Sequence, residues 1–228
     1  MIFPGVGGGF RPRFVTIEVS GFREELVMMV DPEQMIQEAR AGTDAVLGPL
    51  LDLYRNYLRL LARLEIGRRL QGKLDASDLV QETFLEAHRH FARFQGTSEP
   101  QLLSWLRQIL AAKVANLLRH YLGTQGRDVR LERELAADLE NSSRALGEEL
   151  IASLSSPSQR AVRREQAVLL ANALERLPAD YREVIVLRHL EGRSFPEIAQ
   201  RMRRSVDSVQ KLWLRGLSRL RRAFGETE

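Results

Sequence analysis

The chain has 228 residues, 44% hydrophobic and 28% charged, with no cysteine, which leaves room for one large domain or two small ones and excludes disulfides and thiolate metal sites. Its apolar runs are short and broken by charge, none near the ~20 residues that cross a bilayer, and the opening MIFPGVGGGFRPRF lacks the basic-then-apolar order of a secretory signal, so a reducing cytoplasm without membrane insertion is expected. The formal net charge is only +4 but is unevenly placed: residues 162–228 carry 14 bases and nine acids, residues 123–161 five bases and seven acids.

Residues 1–30 read as an extension, either disordered or lying before a natural start at Met28 or Met29. FVTIEVSGF alternates weakly like a strand, but nothing else in the chain offers it a partner, and a lone strand is unstable. Asp31-Pro32-Glu33 then reads as a helix N-cap, N1 proline and early acid. From 31 to 122 the period is helical. Asp44 to Leu64 places Val46, Leu47, Leu50, Leu51, Tyr54, Leu58 and Leu61 on one face, and Ala76 to Phe91 repeats the pattern. After the break Gln95 to Pro100, a long helix runs from Leu102 to Tyr121. These amphipathic helices predict a compact bundle.

Residues 123–161 differ. Three glycines, dense charge and the run Ser153-Leu154-Ser155-Ser156-Pro157-Ser158 predict a flexible linker, with some fraying helix around Leu131 to Leu139. Helices return over 162–228, at Ala167 to Leu177, Asp180 to Leu190, Ser194 to Met202, and Ser205 to about Phe224. The fold class predicted is all-α: two small helical domains joined by a flexible linker.

The strongest local signal is at Ser194-Phe-Pro-Glu-Ile-Ala-Gln-Arg-Met-Arg-Arg-Ser-Val-Asp-Ser-Val-Gln-Lys-Leu-Trp. Ser194 and Glu197 have capping-box spacing, Arg203-Arg204 makes a turn, and Ser205 caps a second helix. That is a helix-turn-helix, whose second helix enters the major groove. On that helix Val209, Trp213, Gly216 and Leu220 share one side, and Lys211, Arg215, Arg219 and Arg222 the other. Leu214 falls among the cations, which suits either a thymine methyl or a protein partner. In the first half, Asp75, Asp78, Glu82 and Glu86 lie three or four residues apart. Metal ligation is one reading of these carboxylates, but no histidine accompanies them on that face; a docking surface for a basic partner is the better one.

The run DxxDLVQETFLEAHRHFxRF followed by SWLRQILxxKVANLLRHY closely resembles region 2 of extracytoplasmic-function (ECF) sigma factors of the sigma-70 family. LERLPADYREVIVLRHLEGRSFPEIAQRMRRSVDSVQKLWLRGLSRLRRAF resembles their region 4. The resemblance implies a non-enzymatic subunit that binds core RNA polymerase, through its β′ clamp helices and β flap, and directs transcription initiation at promoter DNA. It also allows an anti-sigma factor as a further partner. Region 2 would span 31–122 and region 4 162–228. Asp78, Leu79, Gln81, Glu82 and Phe84 fall in the segment that docks on polymerase. Gln95, Gly96, Thr97 and Ser98 match the loop that captures a flipped −10 base, and the resemblance implies that Asn116 and Arg119 would hold upstream −10 DNA. Ser205, Ser208, Gln210, Lys211, Leu214 and Arg215 match positions facing the −35 element. Two local departures concern promoter reading: an acid, Glu99, beside the −10 loop, and Leu212 and Trp213 in the recognition helix.

The family's promoter elements lie about 20 base pairs apart, roughly 70 Å. A flexible 123–161 segment would average ~35 Å end to end but extends past ~120 Å, so something must hold it extended. The runner-up reading, a helix-turn-helix regulator acting without polymerase, leaves residues 75–119 unexplained. A metal-dependent nuclease using Asp75, Asp78 and Glu82 lacks a phosphate cradle and a nucleophile–base pair. No catalytic residue, metal ligand or cofactor is expected.

Overall fold

A computed structural model of the chain describes residues 13–15, 28–70, 75–122, 129–146 and 163–225. The first helix, α1 (Pro32–Arg40), begins where the sequence marks it: the Asp31 carboxylate accepts from the Glu33 amide at 2.9 Å, and Pro32 takes the first helical position. The single helix expected over Asp44 to Leu64 is two, α2 (Asp44–Asp52) and α3 (Arg55–Leu70). Pro49 gives α2 no amide for its ladder, and the Tyr54 amide closes a tight turn on the Leu51 carbonyl at 3.0 Å. The break lets Leu47, Leu50 and Leu51 of one helix and Tyr57, Leu58 and Leu61 of the next enter one core. Helix α4 (Ala76–His90) runs into a 3₁₀ turn, Phe91–Arg93, and α5 (Glu99–Leu122) completes the bundle. Leu79, Val80, Phe84, Leu102, Leu106, Leu110 and Val114 fill its interior.

The stretch between the two modules is more ordered than its composition implied. Helix α6 (Val129–Ala145) is no frayed segment: Leu135, Leu139 and the following Leu146 are fully buried. The physical reason is a leucine at 131, 135 and 139, one every four residues, which makes a stripe that its dense charge obscures in the sequence. The stripe lies on α5 and α3. Arg107 of α5, buried, donates to the Tyr57 hydroxyl at 2.9 Å and to Glu140 of α6 at 2.5 Å, while Tyr57 donates to Ser143 at 2.8 Å. Burial pushes the Tyr57 phenol above its ordinary pKa, against the opposing effect of the Arg107 cation.

The second module comprises α7 (Arg163–Glu175), α8 (Ala179–Ile185), α9 (Phe195–Met202) and α10 (Val206–Gly225). Helix α8 continues as a π turn, Val186–Leu190, which the Glu191 amide closes on the Val186 carbonyl at 3.0 Å. The modules meet where α7 lies against α3. Asn56 donates to Asn172 at 2.9 Å, Arg59 pairs with Glu175, and Arg63 pairs with Glu183. Burial acts to raise the Glu175 pKa, but hydrogen bonds from Arg182 and Arg59 outweigh it and hold the carboxyl below its usual range. Its contribution is therefore present near neutral pH and lost as pH falls through that lowered value. The seam also carries an open cleft of about 370 Å³ lined in part by Arg59, Arg63, Glu175 and Arg201.

One expectation at the N-terminus is corrected. The strand at Arg13–Val15 does have a partner: it pairs antiparallel with Met28–Val30, Phe14 opposite Met29. A three-residue run ending at a helix cap is too short to show alternation, which is why the sequence hid it. The rest of the 1–30 extension, at 1–12 and 16–27, lies outside the described residues, as does the linker beyond Leu146 up to 162.

Gly216 of α10 faces α8, where an added Cβ would stand 3.1 Å from Ile185 Cδ1 and 3.3 Å from Tyr181 Cβ. Gly216→Val should destabilise the second module by about 1–3 kcal/mol. Urea unfolding followed by Trp213 fluorescence, with Trp105→Phe to silence the other tryptophan, would read the shift; an unchanged midpoint would contradict this packing.

Candidate nucleic-acid interface

The helix-turn-helix forms as its caps dictate. Ser194 and Glu197 make a reciprocal capping box at the start of α9, with Ser194 N donating to Glu197 Oε2 at 2.7 Å. Hydrogen bonds from the Ser194 side chain and amide hold the Glu197 carboxyl below its ordinary pKa. Arg203 ends the helix in the left-handed region, φ 53°, and the Arg204 amide returns to the Ala199 carbonyl at 2.9 Å. Arg204 is anchored to Asp180 at 2.6 Å, and Ser205 caps α10 by accepting from the Ser208 amide at 3.2 Å. Val209, Gly216 and Leu220 are buried, and Trp213 is half-buried with its indole N–H on His189 Nε2 at 3.0 Å and its ring against Phe195. The large residue at 213 is thus the joint between α10, α9 and the π turn, and it does not face solvent as a reading residue would. The expected −35 residues share the open side. Ser205, Gln210, Lys211 and Arg215 are exposed, Ser208 is half-buried, and Leu214 is 60% exposed. Lys211 is drawn to Asp207 at 2.8 Å.

The loop Gln95–Ser98 is built on an aromatic platform. Phe91, Phe94 and Trp105 pack edge and face at centroid distances of 5.0 to 6.1 Å. The Thr97 and Ser98 amides both donate to Gln101 Oε1, at 2.8 and 3.2 Å, so the loop is held in one shape. Gly96 is required by close approach: a Cβ there would fall 2.3 Å from the Phe94 ring. Glu99 is buried in the first turn of α5, where a helix N-terminus favours a carboxylate, and does not project into the loop's open side. Asn116 and Arg119 are bonded to each other near the other end of α5. From Glu99 to Asn116 that helix advances roughly 26 Å, the length of seven or eight base pairs. The structure therefore does not gather the residues expected to meet −10 DNA at one point; it sets them at two stations, in the loop before α5 and near its far end.

On α4 the expected docking residues divide. Asp78, Gln81 and Glu82 are exposed. Leu79 (4% exposed) and Phe84 (7%) are core, so the expectation that they contact a partner is corrected: they point to the interior face of α4, and Arg55 stacks over the Phe84 ring at 5.0 Å. The apolar side chain that α4 does present is Leu85, 50% exposed and between Gln81, Asp78 and Glu82 on the helical wheel. The apolar period over Ala76 to Phe91 counts Leu85 among the inward side chains, and the structure turns it outward. The other acids are engaged elsewhere. Asp75 caps α4 through the Ser77 amide, and Glu86 bridges Lys113 at 3.0 Å and His90 at 2.9 Å, its pKa lowered chiefly by the Lys113 hydrogen bond. Among the described residues no three His, Asp or Glu side chains are grouped to hold a metal ion, and no helix is long and apolar enough to cross a membrane.

Residues 53–123 match the family model Sigma-70 region 2, and residues 167–220 match Sigma-70, region 4. The chain is 29% identical over 178 residues to the ECF RNA polymerase sigma-E factor of Haemophilus influenzae, covering 78% of this chain and 87% of that protein. It is 29% identical over 222 residues to the ECF RNA polymerase sigma factor SigD of Mycobacterium tuberculosis, covering 97% and 95%. It is 34% identical over 138 residues to the Escherichia coli ECF RNA polymerase sigma-E factor, covering 60% and 66%. Among solved structures, a chain of the RsbN–BldN complex aligns over 82% of this chain and 97% of its own at 25% identity, with a TM-score of 0.28.

Gly96→Ala should force the Phe94 ring off Trp105 and cost about 1–3 kcal/mol. The near-ultraviolet circular dichroism of Trp105 and the melting temperature should both change. If both match the parent protein, the loop does not sit on its aromatic platform in the way described.

Proposed function

Since the chain belongs to the ECF group of the sigma-70 family, we propose that it binds core RNA polymerase and directs it to promoters, without catalysing a reaction of its own. It works where polymerase works, in the cytoplasm. The observation that carries this reading is the coexistence, in family order, of a capped helix-turn-helix with an open polar stripe and a helical bundle that presents a rigid loop.

Region 4 reads the −35 element with the exposed side of α10. Gln210, Lys211 and Arg215 offer donors to base edges and phosphates, and Leu214 offers an apolar surface. Region 2 handles the −10 element at two stations. The Gln95–Ser98 loop receives an unstacked base, and Asn116 with Arg119 meets the backbone seven or eight base pairs upstream. Prior ordering of the loop by Gln101 and Phe94 lowers the entropy cost of that capture. The docking face is Asp78, Gln81 and Glu82 around Leu85: carboxylates steer a basic partner and set register, while a central apolar side chain is desolvated on contact. The boundaries follow the packing, with region 2 and its tether helix ending at Leu146 and region 4 starting at α7.

Neither module needs high affinity for DNA alone, because polymerase makes the second contact intramolecular. The seam between α3 and α7 must open for the two modules to reach separate promoter elements. Its partly exposed ion pairs contribute only about 0–1 kcal/mol each, which suits a contact that separates.

Charge reversal at Asp78→Arg with Glu82→Arg should weaken core association at least ~10-fold, and Leu85→Ala about three- to tenfold, with helicity unchanged. Anisotropy of the labelled chain titrated with purified core measures both. Binding at parental strength by the charge-reversed chain would remove α4 as the docking face.

A further inference from the structure

We infer that helix α6 is an internal inhibitor of −10 binding, docked on region 2 in the free chain and released when polymerase draws the two modules apart. This rests on the assignment of Arg119 to −10 DNA.

Two ion pairs set the register. Glu132, near the start of α6, holds Arg119, near the end of α5, at 3.5 Å, and Glu140 holds Arg107 at 2.5 Å. The pairing is antiparallel, so α6 retraces α5 along the face that carries both cations. Arg119 is left only 15% exposed. A carboxylate therefore stands where a DNA phosphate would stand, and a guanidinium paired in this way is withheld from nucleic acid. The acid that does this is not part of a uniformly acidic surface. Glu134, two residues on, faces the opposite way, more than half exposed and paired with Arg130 of its own helix.

Length gives the second, independent argument. With α6 docked, the chain between Leu146 and Arg163 is residues 147–162, which even fully drawn out reaches only about 55 Å. The roughly 70 Å between promoter elements must be covered by that tether together with the two modules themselves. If α6 lets go, its seventeen residues rejoin the tether. The same movement that lengthens the tether therefore uncovers Arg119, so reach and −10 contact are gained together. The docking is firm enough to matter, because Leu135, Leu139 and Leu146 are fully buried and Arg107 is 8% exposed.

The test has two arms. In the first, hydrogen exchange is followed in the unmodified full chain, alone and with core polymerase. Amides of 129–145 should be protected in the free chain and lose protection at least ~10-fold in the complex. Protection retained in the complex would overturn the proposal, and a chain that shows no change anywhere has failed to bind core, which defeats the functional reading instead. The second arm needs no polymerase: binding of the free chain to a fluorescent single-stranded oligonucleotide of mixed sequence. Glu132→Gln should tighten it about three- to tenfold, Glu134→Gln, the same change of charge, should leave it within about twofold, and Arg119→Gln should cancel the gain. Equal effects from the two glutamine variants, or a gain that survives Arg119→Gln, would show that α6 does not mask this cation.

Discussion

Arg107 is buried, and a buried guanidinium must be matched. Its partners are the Tyr57 hydroxyl on α3 and the Glu140 carboxylate on α6, so three helices are tied at one charge. This one requirement draws the segment that follows α5 back onto the bundle. Without a carboxylate from α6 the cation would face an uncompensated desolvation cost of several kcal/mol. The position of α6 in turn places Glu132 beside Arg119 and leaves a shortened tether. What looks from composition like a solvated connector is, for nearly half its length, part of the domain it leaves.

Around that body, the three surfaces proposed to meet macromolecules sit on separate supports: the outer face of α4, the loop with α5, and the open side of α10. Each is stiffened by local chemistry. Asp75 caps α4, Gln101 ties the loop, and Trp213 fixes α10 through His189 and Phe195. Apart from Arg119, which α6 covers in the free chain, these surfaces are therefore shaped before they meet a partner. What the free chain lacks is their correct separation, and the charged seam between α3 and α7 is the feature that can be exchanged for it.

The helix-turn-helix was legible in the sequence because its signals are local: caps, a turn, and a four-three-four apolar repeat. The bundle was legible for the same reason, apart from the break at Leu53-Tyr54, where a continuous apolar period does not reveal a change of direction. The docking face was legible only in part. A family match gives positions along the chain, whereas burial depends on which side of α4 meets α3 and α5; hence the match offers Leu79 and Phe84 for docking although both are core, and Leu85, which the period counts among the inward side chains, stands outside. The ion pairs of Arg107 and Arg119 with α6 could not be read at all, because partners 33 and 13 residues apart are joined only by tertiary packing. Glu99 shows the same limit in reverse: an acid that looks obstructive in the sequence is turned inward by its helix.

The most direct measurement is transcription in vitro with purified core polymerase on fragmented genomic DNA, with start sites mapped. The account predicts transcripts that require the chain and that start at a fixed distance downstream of a shared pair of motifs. Transcripts no different from core alone, or sequence-specific promoter binding by the chain that gains nothing from core, would contradict it.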